Sequence, residues 1–315
     1  MKLVGIDIGG TKIAVCVRER GGVVRELARF RTGPPDVALE RIFRVLDRLA
    51  SRGKTAFGIA CGGPMDAPAG RILSPPNLPG WDDVPIVELL QRRLGGRAFL
   101  MNDANANALA EWRFGAGRGT RSMIFLTAGT GMGAGLILDG RVYEGASGDA
   151  GEVGHMRLAA DGPVGYGKAG SFEGFCSGGA IPRLVRFLPR AERPANIELW
   201  LRRHPTTRAV GAAARRGDRT ARRVLAEAGR RLGEALALLV DVLNPECIVL
   251  GTVYRANRAF LTPTMQVVLE REALPSARHA CRILPAALGR QLGNYGALCA
   301  AAHRLGTLER LSLRT

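Results

Sequence analysis

Apolar and polar positions follow two patterns along the chain. Short, mostly apolar runs suit strands buried on both faces, and stripes of period 3.6 suit helices packed on them. The runs are residues 3–8 (LVGIDI), 13–17 (IAVCV), 56–60 (AFGIA), 98–101 (AFLM), 123–126 (MIFL), 136–138 (LIL), 247–250 (CIVL) and 281–284 (CRIL). Residues 22–30 read as a third strand that completes an N-terminal antiparallel meander. Leu39, Ile42, Phe43, Leu46 and Leu49 form a helical stripe running from an N-cap at Asp36 through residue 50. Further helices are expected over 86–93, 104–114, 260–271 and 296–305, and over 206–242 as two helices parted near Gly217-Asp218. Residues 181–188 and 197–203 are helical fragments, split by Pro189 and Pro194. Strands and helices that alternate in this way predict an α/β fold.

The turns between strands carry the first chemistry. Between the runs at 123–126 and 136–138, glycine stands at every second position, Gly129, Gly131, Gly133 and Gly135, with Thr127 and Thr130 among them. Glycine lets the backbone take positive φ and approach a ligand closely. Successive N–H groups in such a turn form a nest that suits phosphate, although the same turn can serve as no more than a hairpin. The N-terminus repeats the plan, with Gly9-Gly10-Thr11-Lys12 between strands 3–8 and 13–17. Two such units predict an internal duplication, with two lobes each presenting a phosphate hairpin to a shared cleft. Neither unit holds a P-loop, and the G-x-G-x-x-G at 165–170 follows no strand and opens no helix, so it reads as chance.

Strand ends carry the second. The strand at 56–60 turns at Cys61-Gly62-Gly63-Pro64, and ligands collect at such carboxyl ends in open α/β sheets. A long Pro- and Gly-rich loop follows, residues 65–85, and includes Asn77. The strand at 98–101 ends at Asn102-Asp103, just before a helix, a place that by itself suits Asp103 better as an ordinary helix N-cap than as an acid at a cleft. The glycines at 115, 117 and 119 mark a hinge into the second lobe.

Composition narrows the class. The chain has 315 residues and a formal charge of +17, nearly all of the basic residues being arginine, with lysine only at 2, 12, 54 and 168. The arginines are densest over 202–231, where apolar residues interleave at helical spacing, so the surplus reads as solvated helix faces and not as a specific nucleic-acid site. No apolar stretch is long enough to span a membrane. The first apolar run contains Asp7 and is followed by no small-residue cleavage site, which argues against a signal peptide. Six scattered cysteines with no C-x-x-C pair predict reduced thiols in a cytoplasmic protein.

The residues Asp7 to Lys12, Asn102-Asp103, the loop 127–135, Glu152-x-x-His155, Glu173, and Asn244-Pro245-Glu246 leading to Gly251 together resemble the ROK family (repressors, open reading frames and kinases) of the sugar kinase/actin/heat-shock ATPase superfamily. The resemblance implies a two-lobed, actin-like (ribonuclease H-like) α/β fold with a cleft, here residues 1–117 with 297–315 and residues 118–296. It implies ATP-dependent phosphorylation of a hexose at its primary hydroxyl, with glucose as first choice and N-acetylmannosamine, allose or fructose as alternatives. Asp103 becomes the catalytic base, and Gly63, Asn77, Asn102, Asp103, Glu152, His155 and Glu173 the sugar contacts. ATP falls to Asp7, Gly9, Gly10, Thr11, Lys12, Thr127, Gly129, Thr130, Gly131, Gly133, Gly251 and Thr252, with Mg²⁺ held by Asp7 through water. Thr252 replaces a glycine usual at the adenosine-packing strand end. A homodimer is implied as well. A sugar-responsive regulator of the same family is disfavoured, because the phosphate strand begins at Leu3 with no helix-turn-helix segment before it.

Members of the family commonly bind zinc through the histidine of Glu-x-x-His and three cysteines. Here the three cysteine places hold Val164, Tyr166 and Ser171, so no zinc is expected. Apolar packing of Val164, Tyr166 and Phe172 is expected to order the loop instead.

Overall fold

The computed structural model describes residues 1–49, 55–129 and 131–314. The chain forms two compact units, residues 1–118 with 287–315 and residues 119–286. The first crossing falls within the expected glycine hinge. The second lies at Ala286/Ala287 and not at 297, because the last helix begins at Leu292 and belongs whole to unit 1.

In unit 1, β1 (Lys2–Ile8), β2 (Lys12–Arg18) and β3 (Val24–Arg31) form the expected meander. After α1 (Pro35–Leu46) come β4 (Thr55–Cys61), α2 (Ile86–Leu94), β5 (Arg97–Asn102) and α3 (Asp103–Phe114). The expected helix continues beyond α1 only as a 3₁₀ turn, Asp47–Leu49, residue 50 lying outside the described residues. Asp36 is not the N-cap, because the helix already starts at Pro35, whose fixed φ suits a first turn. Sheet order is β3-β2-β1-β4-β5, with β1, β4 and β5 parallel. Ile6, Ile13, Ile42, Ile59 and Leu90 fill the core on one face.

Unit 2 repeats the plan. β6 (Met123–Ala128), β7 (Met132–Leu138) and β8 (Arg141–Tyr143) form a second meander. Helices α4 (Phe172–Cys176), α5 (Ile197–Arg203), α6 (Thr207–Arg215) and α7 (Arg219–Leu243) follow. Then come β9 (Cys247–Leu250), α8 (Thr252–Glu272), α9 (Pro275–Ala280) and β10 (Arg282–Pro285). The sheet order β8-β7-β6-β9-β10 reproduces that of unit 1, with β6, β9 and β10 parallel, which is the duplication the glycine turns predicted. Helix α8 starts eight residues before the expected 260 and contains a break at Asn257 (φ −124°). Periodicity missed this first segment because its stripe does not continue in phase across that break. Residues 181–187 form a 3₁₀ helix, not an α-helix.

The final helix, α10 (Leu292–Arg304), returns to unit 1 and packs on its sheet. Near the crossings sits Glu111, at the end of α3 and fully buried. Its Oε2 accepts from the Ala116 N–H at 2.8 Å and the Ala287 N–H at 3.1 Å. Its Oε1 accepts from the Leu288 N–H at 2.9 Å. A Cβ at residue 115 would lie 2.7 Å from Glu111 Cδ, so Gly115 is what lets the chain turn against this carboxylate. One side chain thus ties the segment leaving unit 1 to the segment re-entering it. Hydrogen bonds to a charged acceptor contribute about 1.5–3 kcal/mol each and are not additive, so Glu111→Ala is expected to destabilise by about 3 kcal/mol in urea unfolding. A loss below about 1 kcal/mol would show that the segments are held by other contacts.

Candidate active site

In unit 1 the strand registers bring three carboxyl ends level. Ile8 on β1 pairs with Cys61 on β4, and Cys61 pairs with Asn102 on β5. Asp7, the Gly62-Gly63 turn and Asn102-Asp103 therefore share one end of the sheet. A Cβ on Gly62 would lie 4.0 Å from Asp103 Oδ2, and one on Gly63 3.8 Å from Asn102 Nδ2. Asn77 belongs to the same group, since a Cβ on Gly10 would meet Asn77 O at 2.6 Å.

The structure resolves the double reading of Asp103. Asn102 is the N-cap of α3, its Oδ1 accepting from the Ala104 N–H at 2.8 Å and the Asn105 N–H at 3.4 Å. Asp103 is the first helical residue, and capping is not its work. Burial raises its carboxyl above the ordinary range, with the Ala104 N–H opposing. Burial pushes Asp7 up to about 6, the Asp103 carboxylate acting in the same direction and Lys12 and Arg29 against it. A half-buried pair of acids whose charges disfavour one another is a site for a proton or a cation.

Sequence reasoning missed Gly293. It is the second residue of α10, and a Cβ there would collide with Asp7 Oδ2 and lie 2.6 Å from Asp7 Cγ. No local pattern marks it, because the contact joins residues far apart in the chain.

The turn between β1 and β2 is held by Gly9 N–H donating to Lys12 O at 3.0 Å and by Thr32 Oγ1 donating to Gly9 O at 2.6 Å. Gly10, Thr11 and Lys12 are exposed. In unit 2, the turn between β6 and β7 has Gly129 N–H donating to Gly131 O at 3.1 Å, and Thr130 lies outside the described residues. Thr127 and Gly133 pair across the hairpin. Gly251 ends β9 as the N-cap of α8, with Thr252 exposed as the first helical residue. Beside them an apolar pocket is lined by Leu126, Met132, Ile181, Leu250, Val253 and Tyr254, among others.

The other polar cluster of unit 2 gathers around Glu173. Its Oε2 accepts from the Met132 N–H at 3.0 Å, which ties α4 to the glycine turn. Burial raises its carboxyl, opposed first by the Met132 N–H and then by His155. His155 closes a single 3₁₀ turn, 153–155, that follows the exposed Glu152. Its ring lies 4.8 Å from the Tyr166 ring, and Lys168 Nζ donates to its backbone carbonyl at 2.8 Å.

The cysteine-free loop is not ordered as expected. Val164 and Tyr166 are 55% and 47% exposed, and only Phe172 is buried. Close backbone packing does the ordering. A Cβ on Gly165 would lie 2.6 Å from the Gly174 N, and those on Gly170 and Gly174 would collide with the Ala159 and Pro163 carbonyls. Ser171 caps α4 through the Gly174 N–H at 3.1 Å and donates to Gly165 O at 3.3 Å. Apolar side chains could not reach inward here, because glycine backbone already fills the space beneath them. This donor set does not fit zinc: valine, tyrosine and serine offer no thiolate to accompany His155.

The ROK family profile matches residues 3–304. The chain belongs to the ROK family. A glucokinase of Thermotoga maritima is 31% identical over 97% of this ROK chain and 99% of its own length. The ROK hexokinase structure from Thermus thermophilus superposes with a TM-score of 0.76 at 33% identity, covering 97% of this chain and 99% of that one. A ROK family glucokinase from Streptomyces griseus, solved with glucose and AMPPNP, gives 0.77 at 30% identity over 96% of this chain and 100% of that one. The two-lobed α/β architecture expected of the family is the one these relatives share with it.

Elemental analysis of this ROK chain, purified without added metal, is expected to find far less than one zinc per protein. Stoichiometric zinc would mean that the loop recruits donors other than those at 164, 166 and 171.

Proposed function

We propose that the chain is an ATP-dependent hexose kinase that phosphorylates the primary hydroxyl of glucose. The observation that carries this reading is the state of Asp103. It opens α3 directly after β5, at the sheet end that also holds Asp7, is released from capping by Asn102, and has its carboxyl raised by burial. A base works best when its pKa approaches the working pH, and burial moves Asp103 in that direction. The names and bound molecules of the Thermotoga maritima and Streptomyces griseus relatives support the same reading.

In the proposed reaction Asp103 takes the proton of the sugar hydroxyl as its oxygen bonds to the γ-phosphorus of ATP. The bond from that phosphorus to the β–γ bridging oxygen breaks, and ADP leaves. Most of the acceleration in such a transfer comes from positioning and charge neutralisation, the base contributing about 10²–10⁴-fold. Mg²⁺ would supply the neutralisation, with Asp7 holding it through water. Magnesium sites commonly use only one or two carboxylates plus substrate phosphates, so a single carboxylate here suffices. Gly9, Gly10, Thr11, Lys12, Thr127, Gly129, Thr130, Gly131 and Gly133 are assigned to the phosphates, and Gly251 and Thr252 to the adenosine.

Sugar hydroxyls are assigned to Gly63, Asn77, Asn102, Asp103, Glu152, His155 and Glu173. Asn102 would donate through Nδ2, since its Oδ1 caps α3. Glu173 offers what the Met132 amide leaves free. A pocket that pairs each hydroxyl rejects an epimer by leaving a buried group unsatisfied, at a cost of about 1–3 kcal/mol. The proposal includes a cytoplasmic setting, which the six buried free thiols suit, and a homodimer. Exposed Leu238, Val242 and Val267 on α7 and α8 offer an apolar surface for the latter.

ADP release measured across hexoses and N-acetylhexosamines is expected to be fastest with glucose, and Asp103→Asn to lower kcat by about 10²–10⁴-fold with little change in glucose KM. Retention of more than about a tenth of kcat would remove Asp103 from the base role. Turnover of no sugar in the panel would overturn the kinase reading. Gly293→Ala, which pushes on Asp7 while leaving every assigned contact in place, is expected to cut kcat at least about tenfold, given how steeply rate depends on placement. Wild-type kcat in that variant would show that the position of Asp7 is immaterial.

A further inference from the structure

Unit 1 contains a second cavity, of about 700 Å³, which none of the residues assigned above lines. Its walls come from the end of α3 (Arg113, Phe114), from Arg118, from Ala287 and Leu288, from Gln291 and Tyr295, and from the tail 311–314. The volume falls within the range of about 300–1,000 Å³ usual for small-molecule sites.

Its lining is basic. Arg113, Arg118 and Arg314 are present, and no aspartate or glutamate side chain accompanies them. On α7, by contrast, Arg230 and Arg231 sit among the carboxylates of Glu227 and Glu234. Among the described residues none of the three cavity arginines makes such an ion pair. The nearby Glu111 carboxylate is already held by three backbone amides and is fully buried.

Arg113 is fixed at the wall of the cavity, its Nη2 donating to Glu309 O at 2.9 Å. Planar guanidinium groups match phosphate oxygens two at a time. Gln291 and Tyr295 add polar groups, and Tyr295 meets Phe114 edge-on at 5.7 Å to form an aromatic wall. The three arginines gather at one open pocket and do not form the long stripe that a nucleic acid would follow.

We propose that this cavity is a second, non-catalytic site for a small phosphate dianion, either free or as a phosphate monoester. Arg118 and Ala287 are the residues at which the chain leaves and re-enters unit 1, so an anion held there touches both crossings. The inference goes beyond the kinase reading, and its binding measurement does not require that reading to hold.

The test is calorimetric titration of the full chain with inorganic phosphate and, separately, with glucose 6-phosphate. The proteins compared are the wild type, the double variant Arg118→Gln/Arg314→Gln, and Arg113→Lys. Both arginines of the double variant are exposed, so it is expected to fold even if substitution of the half-buried Arg113 does not. Saturable binding, weakened at least about tenfold in the double variant, which corresponds to about 1.4 kcal/mol, is the expected result. The double variant should keep wild-type kcat and KM when no added anion is present. Arg113→Lys, which keeps the charge but not the fork, should also bind more weakly. Equal affinity for the two ligands would assign the site to free phosphate, and tighter glucose 6-phosphate would assign it to a monoester. Absence of saturable binding, or binding of undiminished strength in the double variant, would overturn the proposal.

Discussion

The seating of α10 on the sheet of unit 1 is the constraint on which the acid pair depends. Helix and sheet approach closely because glycine stands where they touch. A Cβ on Gly58 would collide with the Ala297 carbonyl, and one on Gly5 would lie 3.0 Å from the Ala297 Cβ. On the opposite side, a Cβ on Gly296 would lie 2.7 Å from Asn107 Oδ1 of α3. With the helix held this low, its second residue, Gly293, lies against the Asp7 carboxylate. Asp7 then loses enough water for its carboxyl to rise to about 6. Packing distance in the core thus becomes a protonation property at the strand end.

Unit 2 uses the same device for a different purpose. Gly178 donates its N–H to the Gly129 carbonyl at 2.8 Å, and Gly154 lies against the Met132 carbonyl. Backbone contacts of this kind bring α4 beneath the glycine hairpin and let Glu173 reach the Met132 amide. The polar cluster around Glu173 and the glycine turn proposed for phosphate are therefore coupled through hydrogen bonds to the main chain. Loop 164–171 belongs to this arrangement, held by glycine backbone and the Ser171 cap while its larger side chains face outward. The Tyr166 ring, turned out beside His155, is part of the wall of that cluster.

The excess of arginine is a surface property over most of the chain. Along α7, Arg230 and Arg231 pair with glutamates one turn away, contacts that contribute little to stability. At the cavity near Arg113, three arginines line one pocket with no carboxylate among them.

Period and composition alone determined much of this protein. Apolar runs located the strands, the two glycine turns between meanders announced a duplicated α/β plan, and Asp7 and Asp103 stood out as acids at strand ends. These features are local, so neighbouring residues suffice to specify them. Tertiary structure decided the rest. Whether Asp103 or Asn102 caps α3 depends on which side chain turns back to the Ala104 amide, and spacing permits both. Gly293 and Glu111 act on residues that lie far from them in the chain, across contacts that no periodicity encodes. The outward turn of Val164 and Tyr166 follows from glycine backbone filling the volume below them, and volume is a property of the folded chain. A linear pattern carries propensity and sequence distance; it does not carry the separations between segments that folding brings together.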